Sequence, residues 1–94
     1  MIKSFRSKET KTLYNRERFS RFPEDIQRTA LRKLWMLNAA TSLADLAVPP
    51  SNHLEKLLGN RQGQCSIKIN NQWRICFQWI ESDAYQVEII DYHN

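Results

Sequence analysis

Apolar residues recur at two different spacings along the chain, helical in the first half and alternating in the last third. Ile26, Ala30, Leu34 and Leu37 follow one another at steps of four, four and three, so they share one face of a helix, with Trp35 and Met36 at its flanks. Pro23, Glu24 and Asp25 mark its start, because proline suits the first turn and acidic side chains favour the positive end of the helix dipole. The pattern fades near Ala40. An earlier helix is predicted from a cap at Ser7 through about Arg18; its apolar stripe is only Leu13 and Tyr14, so its stability must come from packing. Ahead of it, Ile2 and Phe5 anchor a short predicted strand, Met1 to Arg6.

Val48-Pro49-Pro50-Ser51-Asn52 breaks any helix, since proline lacks the donor and restrains its predecessor. Leu43 to Asn60 is therefore expected to be mostly an irregular connector, pinned by Leu46, Leu54 and Leu57. Beyond it the period becomes two. Cys65, Ile67 and Ile69 alternate with polar neighbours, as do Trp73, Ile75, Phe77 and Trp79, and then Tyr85, Val87 and Ile89. Three antiparallel strands follow, joined by hairpins at Asn70-Asn71 and at Glu81-Ser82-Asp83. The fold class is α+β: a small antiparallel β-sheet packed against two N-terminal helices, in a single domain over residues 1–94. Matching the apolar sets places Ile67 opposite Ile75 and Phe77 opposite Val87.

Charge changes this picture more than composition does. The net charge is +4, but Met1 to Met36 holds ten Lys or Arg against four Asp or Glu, whereas the remainder holds four against six. A basic excess of this kind attracts polyanions such as RNA, or a strongly acidic protein; a solvated helix surface is the plainer explanation when charge stands alone. No stretch reads as a signal peptide or a membrane span, and the two cysteines suggest neither a disulfide framework nor, with two separated histidines, a zinc site. A soluble, cytoplasmic protein is expected.

Register also gathers chemistry. It sets Lys68 opposite Arg74 and Arg74 opposite Ile90 on the face the helices leave uncovered, with Tyr92 a diagonal neighbour within reach of Arg74. Cys65 and Cys76 fall on opposite faces, which argues against a bond between them. Cleavage of RNA by internal transfer needs a 2′-oxygen deprotonated, a phosphate charge stabilised and a 5′-oxygen protonated. Arginine suits the second task through its planar fork, histidine suits proton transfer near neutrality, and tyrosine orients or relays a proton. The scheme requires no cofactor or metal, and the sequence offers no carboxylate cluster to hold one. An exposed strand arginine is the bland alternative for Arg74, at about even weight in an anonymous sheet.

The run Leu54-Glu55-Lys56-Leu57-Leu58-Gly59-Asn60-Arg61-Gln62-Gly63, then Trp73-Arg74-Ile75-Cys76-Phe77 and Asp91-Tyr92-His93, resembles the HigB toxins of bacterial type II toxin–antitoxin systems, within the RelE/ParE superfamily. The resemblance spans essentially the whole chain. It implies a RelE-like fold and a metal-independent endoribonuclease that cuts messenger RNA in the ribosomal A site, leaving a 2′,3′-cyclic phosphate and a 5′-hydroxyl. Arg74 would match the arginine that stabilises the transition state, Tyr92 the C-terminal active-site tyrosine and His93 the adjoining histidine. A HigA-type antitoxin with a helix-turn-helix would be the partner, operator DNA being reached only through it.

The chain departs from some relatives, which carry a histidine and a lysine just ahead of the motif glycine; aligning on Gly59 gives Glu55 and Leu58, a weaker set that implies a mild toxin. His53 and Lys56 lie nearby as candidate RNA contacts, although a loop-surface histidine and a solvated lysine are the commoner readings. Arg61 is suited to gripping phosphate or bracing its loop, the former favoured by its charge at the mouth of the site. The competing functions are a ParE-like inhibitor that binds DNA gyrase and a non-catalytic RNA or protein interaction module.

Overall fold

The computed structural model describes residues 1–17 and 21–92. The first helix, α1 (Lys8–Tyr14), begins where Ser7 Oγ accepts the Thr10 N–H at 3.1 Å, and it stops at Tyr14, short of the expected Arg18. Arg18 itself lies outside the described residues. With only Leu13 and Thr10 buried, α1 has little apolar surface to carry it further. The second helix, α2 (Glu24–Ala39), starts after Pro23 and turns Ile26, Ala30, Leu34 and Leu37 inward, as the spacing predicts. Lys33 is also buried on this side, a cation that the apolar period does not reveal.

The connector after α2 is more ordered than its composition suggests. It holds a one-turn helix, α3 (Leu43–Leu46), two 3-10 turns at Pro50–Asn52 and Gly59–Arg61, and a two-residue strand, β1 (Glu55–Lys56). The sheet therefore has four strands rather than three, in the order β1, β2 (Gln64–Lys68), β3 (Trp73–Ile80), β4 (Asp83–Asp91), each pair antiparallel. Two residues are too few for alternation to show, which is why β1 escaped the periodic reading. Met1 to Arg6 is not a full strand; it touches β4 through isolated parallel bridges, Ile2 with Ala84 and Phe5 with Val87.

Register agrees with expectation at Ile67–Ile75, Lys68–Arg74 and Arg74–Ile90. It departs at Phe77 and Val87, which are not ladder partners because pairing shifts by one residue between Cys76–Glu88 and Gln78–Tyr85. Gln86 sits at φ +54°, a left-handed conformation that accommodates the extra residue of a bulge. Both side chains still reach the core, but the bulge inverts the alternation before it: Ala84, not the expected Tyr85, lies in the core with Val87 and Ile89, and Tyr85 pairs with Gln78. One continuous cluster joins Leu13 of α1, the inward face of α2, Leu46, and Cys65, Ile67, Ile75, Phe77, Val87 and Ile89 of the sheet. Removing each such large side chain from water contributes about 1.5–3 kcal/mol. Thr10 ties α1 to β4 by accepting the Ile89 N–H at 2.9 Å. None of the described helices is long and apolar enough to cross a membrane.

Candidate active site on the polar face of the sheet

Alternation that buries Ile67, Ile75 and Phe77 sends Ser66, Lys68, Arg74, Cys76 and Glu88 to the opposite face. Two rows cross it: Glu55, Ser66, Cys76 and Glu88 in one, then Lys68, Arg74 and Ile90 in the next. This face is not open, as the sequence suggested. The connector folds over it, leaving Arg74 only 8% exposed.

Arg74 is held from three sides. Its Nε donates to Ser66 Oγ at 2.8 Å, Nη2 donates to the main-chain oxygen of His53, and the same nitrogen lies 3.2 Å from Glu55 Oε1. Its Cζ sits 5.7 Å from the centre of the Tyr92 ring. Among the described residues, Nη1 has no hydrogen-bond partner. A guanidinium so braced keeps its plane and direction, and one edge of its fork remains available to an anion. Tyr92 is partly exposed beside it. Lys68 stands directly across the ladder from Arg74. Thus Lys68, Arg74 and Tyr92 do come together, whereas His93 lies outside the described residues.

The remaining candidates take other positions. His53 contributes its carbonyl oxygen to Arg74 while its side chain is exposed; its φ of +44° turns the chain so that this oxygen points inward. Lys56 is exposed on the edge strand. Arg61 donates through Nη1 to Glu88 Oε1 at 2.7 Å and to Gln64 Oε1 at 3.1 Å, bonds of the loop-bracing kind. Glu88 raises the Arg61 pKa further, so this cation is permanent. Gly59 and Gly63, at φ +66° and +93°, allow the tight turn that delivers Arg61, since side chains disfavour that region. Cys76 is sealed beneath this layer, and burial pushes its thiol up to about 11. Both cysteines are free.

Reading the sequence alone missed Glu55, Ser66 and Glu88 as parts of this arrangement. Parity already placed Ser66 and Glu88 on the same face as Arg74, and that was the available signal. Glu55 was met only as a departure from the relatives' motif ahead of Gly59, and its ion pair with Arg74 needed β1 to be seen.

The family model described as the RelE-like toxin of type II toxin–antitoxin system HigB matches residues 3–93. The chain belongs to the HigB-like toxin family. It is 39% identical over 85 residues to Toxin HigB-1 of Vibrio cholerae serotype O1, covering 89% of this chain and 90% of that one. It is also 38% identical over 94 residues to Endoribonuclease HigB of Proteus vulgaris, covering 99% and 100%. An uncharacterised protein of Haemophilus influenzae is 35% identical over 65 residues, 69% of this chain and 64% of that one. As a toxin of a type II system, the chain implies a cognate antitoxin.

Proposed function

We propose that the chain is the endoribonuclease of its toxin–antitoxin pair, cutting mRNA in the ribosomal A site by metal-independent transfer to the adjacent 2′-oxygen. The observation that carries this reading is Arg74: a braced guanidinium with Nη1 unpartnered among the described residues, beside a partly exposed Tyr92. In this scheme Arg74 holds the non-bridging oxygens as charge builds on the phosphorane. Tyr92 orients the nucleotide, and His93 protonates the departing 5′-oxygen. Lys68, Lys56, His53 and Arg61 contribute to the cationic surround that receives the RNA strand. The full-length similarity to a protein named Endoribonuclease HigB supports the same reading.

The unit is a single RelE-like domain over residues 1–94, working in the cytoplasm with the ribosome. Its antitoxin is of the HigA type, with a helix-turn-helix through which alone operator DNA is reached. Mapping transcript 5′ ends during controlled expression tests the activity: new ends inside translated codons are expected. Intact transcripts accompanied by gyrase-linked DNA breaks would replace this reading with gyrase inhibition.

A further inference from the structure

We propose that the groove between α1 and α2 is the docking site for an acidic amphipathic helix of the cognate antitoxin. This rests on the toxin–antitoxin pairing that family membership implies and not on the nuclease chemistry. The groove has a volume of about 520 Å³ and is lined by Leu13 of α1, by Arg16 just beyond that helix, and by Arg28, Leu31, Arg32 and Trp35 of α2.

Helical geometry gives α2 this second face. Arg28, Leu31, Arg32 and Trp35 stand at i, i+3, i+4 and i+7, so they form one stripe, on the side opposite Ile26, Ala30, Leu34 and Leu37, which meet the core. A merely solvated helix surface carries polar residues along such a stripe. Here an indole that is 44% exposed and a half-buried leucine stand between the arginines. Arg28 and Arg32 are like charges one turn apart, which costs the helix a little stability. Among the described residues, no carboxylate forms an ion pair with either of them or with Arg16. Apolar surface flanked by uncompensated guanidinium groups is complementary to a helix that carries apolar anchors with Asp or Glu beside them. Tryptophan and arginine are also the residue types that carry most of the binding energy in protein interfaces.

The same groove is poorly suited to RNA. Arg16 Cζ already sits 4.6 Å from the centre of the Trp35 ring, so that face of the indole is not open for a base to stack on. Glu17 also lines the groove, where it repels phosphate. The helices cover the apolar face of the sheet, whereas Arg74 stands on the other face, so a strand held at the candidate active site does not run through the groove.

The test is titration of the toxin with the antitoxin encoded beside it, for wild type, Trp35→Ala, the double variant Arg28→Glu/Arg32→Glu, and a control, Lys3→Glu/Lys8→Glu, which changes net charge equally outside the groove. Thermal melts check folding. Trp35→Ala should weaken binding by about 30-fold, the charge reversal by about 100-fold or more, and the control by less than about threefold. In cells, coexpressed antitoxin should no longer suppress growth arrest by the double variant. Should that variant fail to fold, Arg28→Gln/Arg32→Gln carries the same comparison, with a loss of about 10-fold expected. Wild-type affinity in the groove variants, or equal weakening by the control, overturns the proposal. So does loss of growth arrest by the folded double variant without antitoxin, which would assign the groove to the ribosome or its RNA. Failure of the nuclease reading leaves this titration to be decided on its own, because it measures binding and not cleavage.

Discussion

Arg74 does two jobs that truncation to alanine cannot separate. Its nearly complete burial and its bonds to Ser66, His53 and Glu55 make it a structural pin of the connector as well as the cation of the proposed site. Arg74→Ala should therefore abolish growth arrest and also lower stability by about 1–3 kcal/mol, because buried groups of Ser66 and His53 lose their donor. Arg74→Lys should retain more of the fold yet still lose activity, since an ammonium cannot bridge phosphate and carboxylate as a planar fork does. Activity assays paired with urea melts check both; a fully active Arg74→Lys variant would contradict the fork argument. A second residue-scale consequence concerns Cys76, whose folded pKa of about 11 lies above its ordinary value of 9.0. The folded state keeps a proton there that the unfolded chain gives up. This contribution to stability is full below pH 9 and is lost as pH rises toward 11. Urea midpoints should accordingly fall more steeply from pH 8 to 10 in the wild type than in Cys76→Ala, and native protein should resist alkylation at both cysteines.

Between α2 and β1, the chain is held by one amide. Asn52 is fully buried; its Nδ2 donates to the Leu46 carbonyl at 3.0 Å, and its Oδ1 accepts from Lys33 Nζ. Burial lowers the Lys33 pKa, with Arg32 adding to the effect, so the amide partner matters to an ammonium already under strain from desolvation. Asn52→Ala should cost about 3 kcal/mol by leaving the ammonium and the carbonyl without partners. It should also reduce cleavage, because His53 and Glu55 follow directly on this anchor. Denaturant melts and the ribosome assay together check this, and unchanged activity in a folded Asn52→Ala protein would show that the site does not depend on the anchor. The same segment shows where sequence was readable and where it was not. Tyr85, before the bulge, was assigned the parity that Ala84 holds, whereas the face of α2, β2, β3 and the part of β4 beyond its bulge were legible because each repeats its period. So was the approach of Lys68, Arg74 and Tyr92, because parity fixes it. β1 and the bulge at Gln86 were not legible: one has two residues, and the other depends on a backbone angle that no apolar pattern encodes. The pairing of Glu55 with Arg74 and the covering of Arg74 became visible only with β1.

On the scale of the whole molecule, the sheet divides an apolar interior from a polar face, and charge follows a different division, with the basic excess in the N-terminal third. The sequence pI near 9.3 predicts general attraction to RNA, but general attraction does not locate a strand. Counterion release does distinguish the two. If a single strand lies along the polar face, the cations it meets are Arg74, Lys68 and Lys56, with Arg61 already compensated by Glu88. About three phosphate contacts give a slope of about −2 in log affinity against log salt for single-stranded nucleic acid, so a fourfold rise in salt should weaken binding by about 15-fold. Lys68→Gln should flatten that slope by about 0.7, whereas neutralising Arg28 on α2, remote in sequence from the face, should leave it nearly unchanged. Fluorescence titration of a short RNA at several salt concentrations reads both slopes. Equal flattening by the two substitutions would place the strand on the helices instead of the sheet, and the cation set proposed for cleavage would then have to be rebuilt around a different surface.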